Sequence, residues 1–161
     1  MTRCSSIGFV ALVSLGVIAG APRVASAQVE VDRTLSRIGA TVITSSDVQQ
    51  AQRIKLVKDT SSEASTLRGL EDRLLILAEA SRGTPPEVSD DAVAARRREL
   101  GADAAKNSGM SEPALTAWCR DDVRVQTFME RRFATIPAAE RDKTISEWIG
   151  RLRQRAGLRT P

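Results

Sequence analysis

The sequence contains no histidine and no tyrosine. Without histidine, the side chain most often used as a general base near neutral pH is missing, and so is a favoured zinc ligand. A Ser-His-Asp triad is excluded, and any metal site would have to be built from carboxylates. A Ser–Lys pair stays open with Lys55, Lys58, Lys106 or Lys143, although no local pattern recommends one. Aromatic residues make up 3% of the chain, and beyond residue 27 they are Trp118, Phe128, Phe133 and Trp148. Single-stranded nucleic acid is usually held on several stacking aromatics, and these few do not suggest such a platform. No glycine-rich phosphate loop is present. Asp90-Asp91 and Asp121-Asp122 are adjacent pairs, so on a helix each pair points in two directions and neither forms an acid–base couple across a cleft. These absences lead to the expectation of a non-enzyme with no catalytic residue, no cofactor and no metal site.

Charge of one sign is also lacking. Lys+Arg is 24 and Asp+Glu is 20, a net +4. Arg3 and Arg23 lie in an N-terminal segment without acids, so the remainder is closer to neutral. That balance does not point to nucleic acid as a partner. Arg96-Arg97-Arg98, the one basic triplet, reads as a solvated helix face.

What the chain does have begins at its N-terminus. Arg3 supplies a positive start, Ile7 to Ala21 is uncharged and largely apolar, and Ala25-Ser26-Ala27 offers a small-x-small cleavage site. This order is that of a secretory signal peptide, residues 1–27. The apolar run is shorter than the roughly 20 residues of a membrane-spanning helix, and no second long run follows, so no stable membrane insertion is expected. The protein is expected to be periplasmic or secreted, cleaved between Ala27 and Gln28. N-terminal sequencing of exported protein should begin at Gln28; a chain still starting at Met1 would refute cleavage. Cys4 leaves with the leader, and Cys119 remains with no partner for an internal disulfide. It falls on the apolar face of a predicted helix and reads as buried and inert.

Residues 28–161 read as a single, mainly α domain: a short N-terminal β-hairpin or extended arm followed by about five helices. Thr34 to Ile38 and Thr41 to Thr44 are rich in β-branched residues and flank Gly39-Ala40. Ser46 and Gln49 suggest a capping box for a first helix running to about Lys58. Its apolar residues, Val48, Ala51, Ile54, Leu56 and Val57, do not keep to one stripe. A polar connector, 59–65, leads to a second helix with Leu67, Leu70, Leu74, Leu77, Ala78 and Ser81 on one face. Leu75 and Ile76 lie off that face, so this helix is apolar nearly all round and central. Gly83 is its expected C-cap, with Pro85-Pro86 enforcing the stop. Ser89 caps a third helix with a thin stripe of Val93, Arg97, Leu100 and Ala104, and Asn107-Ser108-Gly109 reads as a turn. Ser111 caps a fourth, whose face holds Leu115, Trp118, Cys119, Asp122, Val125, Gln126, Met129 and Phe133, with Phe128 off it. Asp122 on that face calls for an arginine or backbone partner. Pro137 opens a fifth helix, 137–157, with Ile145, Trp148, Ile149, Leu152 and Ala156 inward and Gly157-Leu158 as a Schellman end.

Val31-Asp32-Arg33, then Ile38-Gly39, then Val42 through Val48 (VITSSDV) resemble the opening of SurA-type periplasmic chaperones. Leu70 to Ala80 (LEDRLLILAEA), Val88 to Val93 (VSDDAV), Gly109 to Leu115 (GMSEPAL) and Arg120 to Gln126 (RDDVRVQ) are similar to later pieces of that family's N-terminal domain, in family order over residues 31–133. Two departures accompany the likeness. No stretch is left for a parvulin prolyl isomerase domain, so that activity is not carried over. The usual Asn-Gly of the hairpin is Gly39-Ala40, which leaves the turn type open. The resemblance implies a SurA N-terminal-domain-like fold and ATP-independent binding of unfolded or extended polypeptides, outer-membrane protein precursors among them. The alternative is a non-catalytic adaptor with one fixed partner. The expected peptide-binding residues are Leu75, Ile76, Met110, Phe128 and Met129. Met110 and Met129 are flexible apolar side chains suited to promiscuous contact. Leu75, Ile76 and Phe128, off the main stripes, either pack a second neighbour or line a groove.

Overall fold

The structure, a computed structural model, describes residues 32–158, so the expected leader and its cleavage site lie outside the described residues. Among the described residues there are six helices and one two-stranded antiparallel sheet. The mainly helical expectation holds at that level.

Strands β1 (Thr34–Ile38) and β2 (Thr41–Thr44) pair with Ile38 opposite Thr41, so Gly39-Ala40 is a two-residue loop. Gly39 has φ +59°, and Ala40 is not in the positive-φ region. A type I′ turn needs positive φ at both positions, whereas type II′ needs it at the first alone, which is where the glycine stands. The pairing slips between Thr34 and Ser36.

Helix α1 (Ser45–Arg53) begins two residues earlier than expected and is capped by Thr44 rather than Ser46. Thr44 still has extended geometry as the last strand residue. Its Oγ1 accepts from the Asp47 amide at 3.3 Å, and Asp47 Oδ2 accepts from the Thr44 amide at 2.8 Å. The Ser46 amide instead donates to Asp32 Oδ1 at 3.0 Å, and Ser45 Oγ donates to the same oxygen at 2.8 Å. Hydrogen bonds from Thr44, the Ser46 amide and Ser45 hold the exposed Asp32 carboxyl down to about 2. The conspicuous Asp-Arg and Ser-Ser-Asp segments thus lock the start of the hairpin to the start of α1.

Helix α1 also ends early. Lys55 adopts φ +52°, and the Leu56 amide donates to the Ala51 carbonyl at 2.9 Å. This is a Schellman closure with lysine in the position glycine usually takes, at a steric cost of about 1 kcal/mol. It turns Leu56 back into the core. Ile54, Leu56 and Val57 break the stripe because the helix has already stopped. Val57 then lies against α2 (Glu63–Ala80) at Gly69, where an added Cβ would come within 3.0 Å of the Val57 Cβ.

Helix α2 is central, packing against the hairpin, α1, α5 (Glu112–Arg132) and α6 (Ala138–Arg155). Ser62 caps it reciprocally with Ser65, and it stops at Ser81; Gly83 is not left-handed and is not the cap. Helix α3 (Asp90–Glu99) is capped by Ser89 as expected. Gly101, at φ +90°, breaks the run that the sequence suggests would reach Ala104. A separate short helix, α4 (Ala104–Ser108), follows where a turn was expected, and Gly109 closes it at φ +79°. Helix α5 (Glu112–Arg132) is capped by Ser111. Helix α6 (Ala138–Arg155) follows Pro137 and ends in the expected Schellman motif, with the Leu158 amide donating to the Arg153 carbonyl at 3.0 Å.

The buried apolar residues form two clusters. The first joins Ile43, Val48, Ala51, Leu56, Leu70, Ala104, Ala105 and Leu115. The second joins Leu75, Ile76, Phe133, Trp148 and Leu152. Leu70 of α2 enters the first cluster, and Leu75 and Ile76, about one and a half turns later, enter the second. That division explains why α2 is apolar on more than one face.

Candidate functional site

An open cleft of about 180 Å³ lies beside the first cluster. Thr41, Val42 and Ile43 of β2 form one wall, and Asp47 and Gln50 of α1 a second. Leu56, Leu70 and Leu74 supply apolar lining, Met110 comes from the α4–α5 connection, and Trp118 and Arg73 close the remaining side. The short loop after Gly109 carries Met110 here, so the α4 that the sequence reading missed is what delivers this methionine.

Trp118 is held between two arginines. The Arg73 guanidinium carbon is 4.4 Å from its ring centroid and that of Arg96 is 5.9 Å away. Arg73 Nη2 also donates to the Trp118 carbonyl at 2.9 Å, and lies 4.0 Å from Asp121. Burial pushes the Arg73 pKa down against the pull of Asp121 and Asp122. Its Nε is buried without a hydrogen-bond partner. Arg96 Nε donates to Asp122 Oδ2 at 2.6 Å, the arginine partner that Asp122 called for. The basic triplet is therefore not simply solvated. Arg97 also turns inward, donating to the Gly101 carbonyl at 2.6 Å and pairing with Glu112 at 3.1 Å, while Arg98 stays exposed.

The structure does not bring the five expected peptide-binding residues into one groove. Met110 lines the cleft. Leu75 and Ile76 are 7% and 6% exposed and belong to the second core cluster. As placed, they offer a client no surface: they lie off the main stripe because they pack a second set of neighbours. Phe128 and Met129 are half-buried against that same cluster, and the Phe128 ring lies 6.2 Å from Trp148. Met129 borders a separate hollow with Phe133 and Ile145. The walls that sequence reasoning missed are Arg73, Leu74 and Trp118. Leu74 and Trp118 were on core stripes, where helical periodicity cannot show that a neighbour stops short.

No protein-family model, curated protein or solved structure matches this chain.

The cleft combines apolar and polar lining. Its floor is apolar, with a buried guanidinium on one side and a carboxylate and a carboxamide on the other. Cys119 is 0% exposed, and burial pushes its thiol pKa up, against activation as a thiolate. Among the described residues, no three His, Cys, Asp or Glu side chains gather as a metal-binding group, and no helix is long and apolar enough to cross a membrane.

Proposed function

We propose that this chain is an exported, SurA-type, ATP-independent chaperone-like protein that holds extended polypeptide segments in the cleft between β2, α1, α2 and α5. The observation that carries this reading is the cleft: open, mostly apolar and walled by Met110, Leu74 and Trp118. A flexible thioether suits varied client side chains. Hydrogen-bonding groups at the margin, Gln50 and Arg73 among them, suit a peptide backbone passing over the apolar floor. The order of SurA-like segments over residues 31–133 supports the same reading, because those segments build the hairpin, the first cap and most of the cleft.

The test is suppression of aggregation of several unrelated unfolded proteins, together with binding of a labelled apolar peptide. Met110→Ser is expected to weaken peptide binding at least about threefold while changing stability by about 1 kcal/mol or less, since Met110 is only half-buried. Unchanged peptide binding by a stably folded Met110→Ser protein would remove the cleft from the reading. One tight partner with no suppression of aggregation would replace the chaperone with an adaptor.

A further inference from the structure

A second pocket, of about 440 Å³, is lined by Glu79 of α2, Arg132 of α5, and Trp148, Arg151, Gln154 and Arg155 of α6. It shares no lining residue with the cleft. Among the described residues its one lining carboxylate is heavily shared: Glu79 Oε2 accepts from Arg82 at 2.9 Å and from Arg155 at 3.3 Å. Among the described residues, no carboxylate pairs with Arg132 or Arg151. Three guanidiniums therefore line the pocket with one carboxylate, which Arg82 outside it also engages. The Arg132 guanidinium carbon sits 4.8 Å from the Trp148 ring centroid, an arrangement that orients its donors. The helix dipole favours cations in the last turns of α5 and α6. It does not account for three arginines from two helices opening onto one cavity.

We propose that this pocket binds a phosphate-bearing anion, with Arg132, Arg151 and Arg155 donating to its oxygens beside the Trp148 wall. Three planar guanidinium forks offer more donors and more charge than one carboxylate can use. A phosphate, with three acceptor oxygens and up to two charges, matches them. The ligand is either a soluble phosphate or the headgroup of an anionic phospholipid.

The experiment titrates the full chain carrying Trp118→Phe, which leaves Trp148 as the only tryptophan emitter. Calorimetry on the unaltered chain repeats each titration independently of that substitution. The probes are inorganic phosphate, pyrophosphate, succinate and a glutamate-rich peptide at matched ionic strength, and vesicles of phosphatidylglycerol or phosphatidylcholine. Saturable binding of phosphate or pyrophosphate is expected for a soluble ligand, and of phosphatidylglycerol vesicles alone for a headgroup. Either response should weaken at least about tenfold in Arg132→Gln/Arg151→Gln with the melt unchanged. It should persist in Arg98→Gln, which removes an exposed arginine elsewhere. No saturable response to any phosphate probe would overturn the proposal. So would equal responses to succinate or the glutamate-rich peptide, or an equal loss in Arg98→Gln.

Discussion

Replacing Trp148 with alanine is expected to destabilise the protein by about 3–5 kcal/mol, lowering the thermal midpoint by roughly 10–20 °C. Trp148 is 5% exposed and stands at the centre of the second cluster. Phe133 meets it edge-on with centroids 5.5 Å apart, Phe128 lies 6.2 Å away, and the Arg132 guanidinium carbon is 4.8 Å from its ring centroid. Truncation leaves a cavity among side chains fixed by three helices, which cannot collapse into it without moving α6. Trp118→Ala is expected to cost less. Trp118 is half-buried at the cleft, so part of the space it vacates is already open to solvent. Thermal and urea melts of the two variants give the comparison. A Trp148→Ala midpoint within a few degrees of the unaltered protein would show that the second cluster does not support the fold.

Arg153→Met should be as costly, for an electrostatic reason. Arg153 is 5% exposed within the α2–α6 contact. Its Nη2 bonds Glu71 Oε2 and its Nη1 bonds Asp72 Oδ1, each at 2.7 Å, while Ser36 Oγ of β1 donates to the other Glu71 oxygen at 2.6 Å. One guanidinium thus joins two carboxylates of α2 to α6, and Glu71 joins both to the hairpin. Burial opposes the charged form of Arg153, and its bonds to Asp72 and Glu71 outweigh that, leaving its pKa above the usual arginine value. Burial pushes the pKa of Asp72 up despite Arg153 and Arg68. Removing the guanidinium strands the buried Glu71 and the half-buried Asp72 side by side, which costs about 3–5 kcal/mol near neutral pH.

The pH dependence gives this second prediction a distinct signature. In Arg153→Met the folded-state pKa of Asp72 rises further, because the hydrogen bond and charge of Arg153 are gone and Arg68 alone still lowers it. A carboxyl whose folded pKa exceeds its unfolded value, about 3.9 for aspartate, favours the fold fully only below that unfolded value. The advantage is lost as pH rises through the folded pKa. The stability gap between Arg153→Met and the unaltered protein should therefore narrow from pH 7 to pH 4 in urea melts. A gap that is constant across that window would mean lost packing, and not stranded charge, carries the effect.

Much of the local structure was legible in the residues themselves. Ser89, Ser111, Pro137 and Gly157-Leu158 act at helix ends within a few residues of themselves, and the structure places them as their chemistry requires. The need for a partner at Asp122 was also legible, because a carboxylate on an apolar face is costly wherever it sits. The first cap was misplaced because two candidates, Thr44 and Ser46, lie two residues apart. The choice fell to Asp32, which draws off the Ser46 amide from across the hairpin. The early end of α1 depends on Leu56 reaching a core that local sequence does not display. Arg153 escaped notice for a similar reason: its two acids precede it by about 80 residues, and no periodicity links them.

The sequence by itself determined a mainly helical chain with a β-rich N-terminal segment, a central helix apolar on more than one face, and the helix ends at Ser89, Ser111, Pro137 and Gly157-Leu158. Those properties rest on interactions within a turn or two of the backbone. Only the tertiary structure decided which apolar residues are core and which are wall. Leu75 and Ile76 went inward because α2 has neighbours on several sides, whereas Met110, Leu74 and Trp118 border a cleft. Hydrophobic burial is non-directional, so a pattern of apolar residues says that they leave water but not which of them finds a complete set of neighbours. The arginines divided in the same way. Arg96, Arg97 and Arg153 found acceptors on distant elements, Arg98 remained in solvent, and Arg132 and Arg151 line a pocket where, among the described residues, no carboxylate pairs with them.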